Sequence, residues 1–243
     1  MYSIYKKEIT SFFSSLTGYI AIIVFLALTG WFMWINPGEF NILDSGYSSI
    51  DTLFFIAPWV FLFLVPATTM RSFAEEKKTG TIELLLTHPI SETQLVFAKY
   101  LAAVTLILLS LIPCLVYYFT VYWLGNPVGN IDSGGTWGSF IGLFFLASAY
   151  AAIGVFSSSL TDNQIVAFIV AAVLCFFAYT GFDGLASLSM FKSVNTSLIS
   201  LGINEHYKSL SRGVIDIRDI MYFAAFSVVF IGAARLKLQS RKW

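Results

Sequence analysis

The sequence predicts an all-α integral membrane protein with six transmembrane helices, and three observations predict it. Of the 243 residues, 57% are hydrophobic and only 12% are charged, against about 25% charged in a soluble domain. The mean hydropathy of +0.77 reflects more apolar surface than one globular core can hide, so lipid must be the solvent for much of it. The apolar residues also gather into six long runs separated by polar stretches, each run long enough to cross a bilayer as a helix. The 24 Phe and six Trp suit lipid-facing and interfacial positions.

Residues 2–15 place Tyr5, Ile9, Phe12 and Leu16 at helical spacing, with Lys6, Lys7, Thr10 and Ser14 opposite. That pattern is an amphipathic helix lying in the membrane interface. The run 16–35 is too long for the apolar core of a signal peptide, and no convincing small-residue cleavage site follows it, so it reads as an uncleaved first span. A polar loop (36–52) with acids but no Lys or Arg leads to the second span, 53–70, which carries Pro58 and Pro66. A proline inside a span removes a backbone hydrogen bond, which neighbouring helices must repair.

Residues 71–99 form the long polar interruption of the chain. The third span, 100–124, contains Pro113, and a Gly/Asn/Pro-rich turn region (125–136) follows. The fourth span, 137–160, holds Gly138 and Gly142, Ala147 and Ala151, and Gly154 four after Tyr150. Small residues four apart let helix backbones approach closely, which predicts a central position, although Gly and Ala are common in spans generally. A four-residue turn precedes the fifth span, 165–182. The polar segment 183–218 alternates Ser, Asn and Thr with Leu, Ile and Met; it reads either as short helices at the mouth of the bundle or as a plain surface loop. The sixth span is 220–236, and Asp216 and Asp219 give its helix an acidic start. The whole is expected to be one transmembrane domain over 1–243.

Six spans put both termini on one side. That side, with the 71–99 segment, holds ten of the 14 Lys and Arg, so the positive-inside rule predicts cytoplasmic termini. Zero net charge argues against a nucleic-acid partner. No ionisable residue falls in the interior of these six runs, and no phosphate-binding GxxxxGK[ST] loop or paired-His pattern occurs. The chain is therefore expected to be no enzyme, and any energy source lies in a partner. Cys114 and Cys175 sit in apolar runs and read as small core residues rather than a disulfide or metal pair.

Within 71–99 the local signals are strong. Ile82, Leu85 and Leu86 group on one side of a short helical segment, 79–87, with Glu83 away from them. Pro89 ends it, His88 before it reads as a turn residue, and Ser91 with Gln94 forms a capping box that starts the next helix. The segment is either a loop packed on its own bundle or a lever tied to two spans.

These residues resemble the permease subunits of type-2 ABC transporters. The resemblance runs through Arg71, Phe73, Ala74, Glu75, Glu76, Lys78, Thr79, Gly80, Thr81, Glu83, Leu84, Leu85, Pro89, Ile90, Ser91 and Lys99. The N-terminal helix ending in Phe13 and Gly18-Tyr19 is similar to that family's interfacial connecting helix, and the six-span layout also agrees. The stretch from His206 through Arg212, Gly213, Val214, Ile215, Asp216, Arg218 and Asp219 to Tyr222-Phe223 looks closest to a branch that includes the gliding-motility permease of Bacteroidetes and the nitrous-oxide-reductase maturation permease.

The resemblance implies a bacterial inner-membrane permease whose cytoplasmic coupling helix docks an ABC ATPase dimer. Glu75, Glu76, Thr79, Gly80, Thr81, Glu83, Leu84, Leu85 and Pro89 would make that contact. ATP and Mg would be bound by the ATPase, with no cofactor in this chain. It also implies a second permease copy or paralogue and a partner with a large extracytoplasmic domain. His206, Tyr207, Arg212 and Asp216 are expected at an extracytoplasmic gate or partner contact. A subunit that transmits force or a signal without moving cargo is the alternative.

Overall fold

A computed structural model of the chain describes residues 1–83, 91–213 and 215–240. It is an all-α bundle in which six helices are long and apolar enough to cross a membrane: Gly18–Ile35, Asp51–Lys78, Glu92–Leu124, Ser133–Leu160, Gln164–Ala186 and Ile217–Gln239. Most run further than the apolar runs alone indicate, because polar residues at their ends continue the helix instead of breaking it.

The amphipathic helix Tyr2–Ser14 precedes span 1 and is separated from it by Ser15, whose backbone is extended (φ −100°, ψ 145°). Ser15 Oγ donates to Phe12 O at 2.9 Å, which satisfies a carbonyl at the helix end. The corner is tight: a Cβ on Gly18 would lie 2.4 Å from the Phe12 ring. Span 1 is α-helical over Leu16–Gly30 and ends in a π-helical turn, Trp31–Ile35. Span 2 runs unbroken through Pro58 and Pro66 over Asp51–Thr69 and, after a turn at Met70, continues as the short helix Arg71–Lys78. Gly80 (φ +72°) closes that helix as a left-handed cap, a conformation glycine adopts without a Cβ penalty, and a new helical turn begins at Thr81.

Span 3 starts where the capping signal placed it. Ser91 is the N-cap of Glu92–Leu111 and Ser91 Oγ accepts from the Gln94 N–H. At Pro113 the helix tightens to a 3₁₀ turn, Ile112–Cys114, before resuming over Leu115–Leu124. Proline has no N–H to give, so the i→i−4 ladder must be interrupted there. Asp132 caps span 4 by accepting from the Gly135 N–H at 3.0 Å. Span 5 also contains a π-helical turn, Phe177–Gly181, before its last α-helical stretch Phe182–Ala186. Short helices Asn195–Ile199 and Ile203–Ser211 then lead to span 6, capped by Asp216, whose Oδ1 accepts from the Arg218 N–H at 2.9 Å.

Span 4 is the hub. Its apolar window is 78% buried, against 22% for spans 1 and 6 and 28% for span 5, and it packs against spans 2, 3, 5 and 6. The small residues make this possible. Gly138 and Gly142 lie against the 203–211 helix, and Gly154 lies against Thr69 of span 2. The main core joins Phe61, Leu62, Leu143, Leu146, Tyr150 and Ile153 to residues of span 3. A second, smaller core unites Ile4, Phe73, Leu95, Val155 and Leu238, so the N-terminal helix, the 71–78 helix and the end of span 6 share one face of the bundle, here called the terminal face. Spans 1, 5 and 6 leave Ile23, Val173, Val228 and Val229 exposed, as expected where hydrocarbon replaces water around the bundle.

Candidate functional site

The terminal face is organised by one buried cation. Lys99, at the end of the polar 71–99 stretch in sequence, is instead the eighth residue of the Glu92–Leu111 helix, and its side chain is 1% exposed. Its ammonium donates to Glu8 Oε1 at 2.7 Å and to Ser72 O at 2.6 Å. It makes an ion pair with Glu76 Oε2 at 3.0 Å. The cation also stands 5.0 Å from the centroid of the Phe73 ring, close enough to be attracted by the ring's negative face. Glu76 in turn accepts from Lys7 Nζ at 3.0 Å. One lysine of span 3 thus holds the N-terminal helix and the 71–78 helix together. Burial alone would lower the Lys7 ammonium's pKa, but the hydrogen bond and charge of Glu76, helped by Glu8 and Glu75, hold it above its ordinary value.

A second clamp comes from span 4. Ser158 Oγ accepts from the N–H groups of Phe73 and Ala74, at 2.9 and 3.1 Å, and donates to Met70 O at 2.8 Å. These are the orphan donors at the start of the 71–78 helix. Lys77 adds a hydrogen bond from Nζ to Ser159 O, and Tyr5 and Thr105 join their hydroxyls at 3.0 Å between the N-terminal helix and span 3. The 71–78 helix is therefore hydrogen-bonded to three other helices.

The contact residues expected from the resemblance divide by exposure. Glu75, Thr79, Gly80, Thr81 and Glu83 are exposed, whereas Glu76 is buried and Ile82 is anchored in the smaller core. Thr79 Oγ lies 2.9 Å from Thr81 Oγ across the glycine cap. Leu84, Leu85, His88 and Pro89 lie outside the described residues. The serines at 157–159 and the depth of Lys99 were missed by sequence reasoning. The available signal was a lysine between Ala98 and Tyr100, within an apolar run that already follows a helix-capping residue.

On the opposite face, His206, Tyr207, Arg212 and Asp216 do not form one cluster. His206 stacks on Tyr222 with centroids 3.8 Å apart; its Nδ1 lies 2.7 Å from Asp219 Oδ1 and its Nε2 2.9 Å from Ser200 O. Asp219 is thus a buried partner as well as a first-turn acid. Tyr207 points inward and donates its hydroxyl to Phe54 O at 2.6 Å, and burial pushes the phenol well above its ordinary pKa. Arg212 is exposed at a polar cavity of about 270 Å³ bordered by Asp51 and Asp132. Asp216 is the cap already described. Tyr207→Phe should lower stability by about 1 kcal/mol, the worth of one neutral hydrogen bond. A detergent melting curve unchanged from the parent would count against that bond.

Between the N-terminal helix, spans 1 and 2 and the 71–78 helix lies the larger cavity, of about 870 Å³. Lys7, Ser11, Arg71 and Glu75 line one end, while Val24, Leu28, Val60 and Phe63 line the other. Among the described residues no group of three His, Cys, Asp or Glu side chains could hold a metal ion, and Cys114 and Cys175 are both buried free thiols. The terminal face offers a braced helix and a polar rim.

No curated protein matches the chain. Residues 2–235, nearly its whole length and reaching into the sixth span, match the family described as ABC-2 family transporter protein, and the chain belongs to that family.

Proposed function

We propose that this chain is the permease subunit of an ATP-driven transporter in a bacterial inner membrane, with the terminal face in the cytoplasm. A separate ABC ATPase dimer, carrying the ATP and Mg, docks on the segment that begins at Glu75 and runs through Thr79, Gly80, Thr81 and Glu83 to Leu84, Leu85 and Pro89. Glu76 contributes from the inside by holding the helix to Lys99.

The observation that carries this reading is the brace around the 71–78 helix. A push on a slack loop would be absorbed by the loop. Here the helix leading into residues 79–83 is tied through Lys99 to span 3 and the N-terminal helix, and through Ser158 to span 4. Displacement of the docking segment therefore reaches three other helices at once. Family membership supports the ATPase partner. A second permease copy or paralogue completes the membrane half. The His206 to Asp219 motif favours the gliding-motility-associated branch, with a partner bearing a large extracytoplasmic domain near His206, Arg212 and Asp216 while Tyr207 anchors their helix from below. That same branch motif supports a second reading, force or signal transmission without cargo. ATP turnover that persists in the reconstituted complex while no candidate cargo or polysaccharide moves would favour it.

Glu83→Lys and Leu85→Asp test the docking claim. Each should cut the ATPase that co-purifies by at least about tenfold, as loss of an interface anchor does, while the spans stay inserted. Co-purification in normal amount with both variants would sink it.

A further inference from the structure

The 870 Å³ cavity on the terminal face is graded in polarity along its length. Two antiparallel helices, together with Phe168 of span 5, wall its apolar part. Ile20 to Leu28 of span 1 and Val60 to Thr68 of span 2 each cover eight residue steps, about 12 Å at 1.5 Å per residue. That approaches one leaflet of a hydrocarbon layer about 30 Å thick. The lining turns polar at Ser15 on one wall and after Thr68 on the other, where the amphipathic N-terminal helix lies. An occupant must therefore be amphiphilic, with its chain along the bundle and its head at the level of that helix.

The charges at the head end select among amphiphiles. Lys7 is taken up by Glu76 and Glu8 by Lys99. Arg71 and Glu75 also line the cavity, are exposed, and make no ion pair among the described residues. They stand four apart on one helix, so they present one positive and one negative group on the same side. We infer that this cavity binds a zwitterionic aminophospholipid, its phosphate on Arg71, its primary ammonium on Glu75 and an acyl chain between spans 1 and 2. A purely anionic head would meet Arg71 but be opposed by Glu75. Glu75 also belongs to the proposed ATPase contact, but lipid retention is measured on this chain without the ATPase, so failure of one reading leaves the other standing.

Native mass spectrometry of the delipidated chain, titrated in mild detergent, tests it with three probes. These are dioleoyl phosphatidylethanolamine, the corresponding phosphatidylglycerol, and phosphatidylcholine, whose ammonium has no N–H to donate. Phosphatidylethanolamine should be retained about tenfold better than the other two. Arg71→Gln should reduce that retention roughly tenfold, in line with losing a charge-assisted hydrogen bond. Glu75→Gln should erase the preference over phosphatidylglycerol, and Val24→Trp, which fills the trough, should lower binding of all three. Arg71 and Val24 are both largely exposed, so these variants should fold, which an unchanged melting curve checks. Retention unaffected by Arg71→Gln would overturn the proposal. So would a lipid-free dimer that Val24→Trp dissociates, because the trough would then belong to a second copy.

Discussion

Lys99→Met should destabilise the protein by about 3–5 kcal/mol, the cost of removing one partner from a buried ion pair. The loss comes from what stays behind. Glu76 has a side chain only 10% exposed and would keep Lys7 alone, while Glu8, at 22%, would lose its cation. Ser72 O would lose its donor as well. Because the same ammonium ties three helices, the N-terminal helix should become protease-sensitive at lower temperature than the bundle as a whole. Adding Glu76→Gln to Lys99→Met should recover part of the stability by removing the stranded charge. A melting temperature for Lys99→Met equal to the parent's would mean the cluster carries no net stabilisation.

Gly154→Ala should be strongly destabilising for a single added methyl group. A Cβ there would lie 1.9 Å from Thr69 Oγ and 2.8 Å from Thr69 Cβ. Rotating Thr69 could relieve the first contact but not the second, because Cβ is fixed to the backbone. Spans 2 and 4 would have to move apart, and overpacking of this kind costs about 1–3 kcal/mol. Gly232→Ala in span 6 is the matched control, since a Cβ there meets nothing within 4 Å. Detergent-resistance or thermal-melt measurements should separate the two clearly. Equal melting of both variants would show that the close approach of spans 2 and 4 is not a constraint.

Much of the architecture could be read from local pattern, and the reason differs by element. The N-cap at Ser91 was legible because the bond is local: a side chain reaches an N–H three residues on. The central position of span 4 was legible in part from Gly138, Gly142 and Gly154, since only small residues let backbones meet without a large side chain between them. The candidate contact segment was visible as a polar island, with Ile82 facing in and Glu83 facing out as the helical spacing predicts. Exposure could not be assigned one residue at a time. Glu75 and Glu76 are neighbours of identical chemistry, yet one lies on the surface and the other is buried against Lys99.

Composition and period alone established that this chain is a six-span helical membrane protein with an interfacial N-terminal helix. Those properties follow from how often and how regularly apolar residues recur, which requires no knowledge of distant neighbours. Which polar groups lie inside depends on partners that chain order does not bring together. Lys99 meets Glu8 across 91 positions, Phe73 meets Ser158 across 85, and Tyr207 meets Phe54 across 153. Burying a charge or an orphan N–H is costly until its partner arrives. Packing of the bundle supplies those partners, and it turns a polar stretch between two spans into a braced helix beside an amphiphilic cavity.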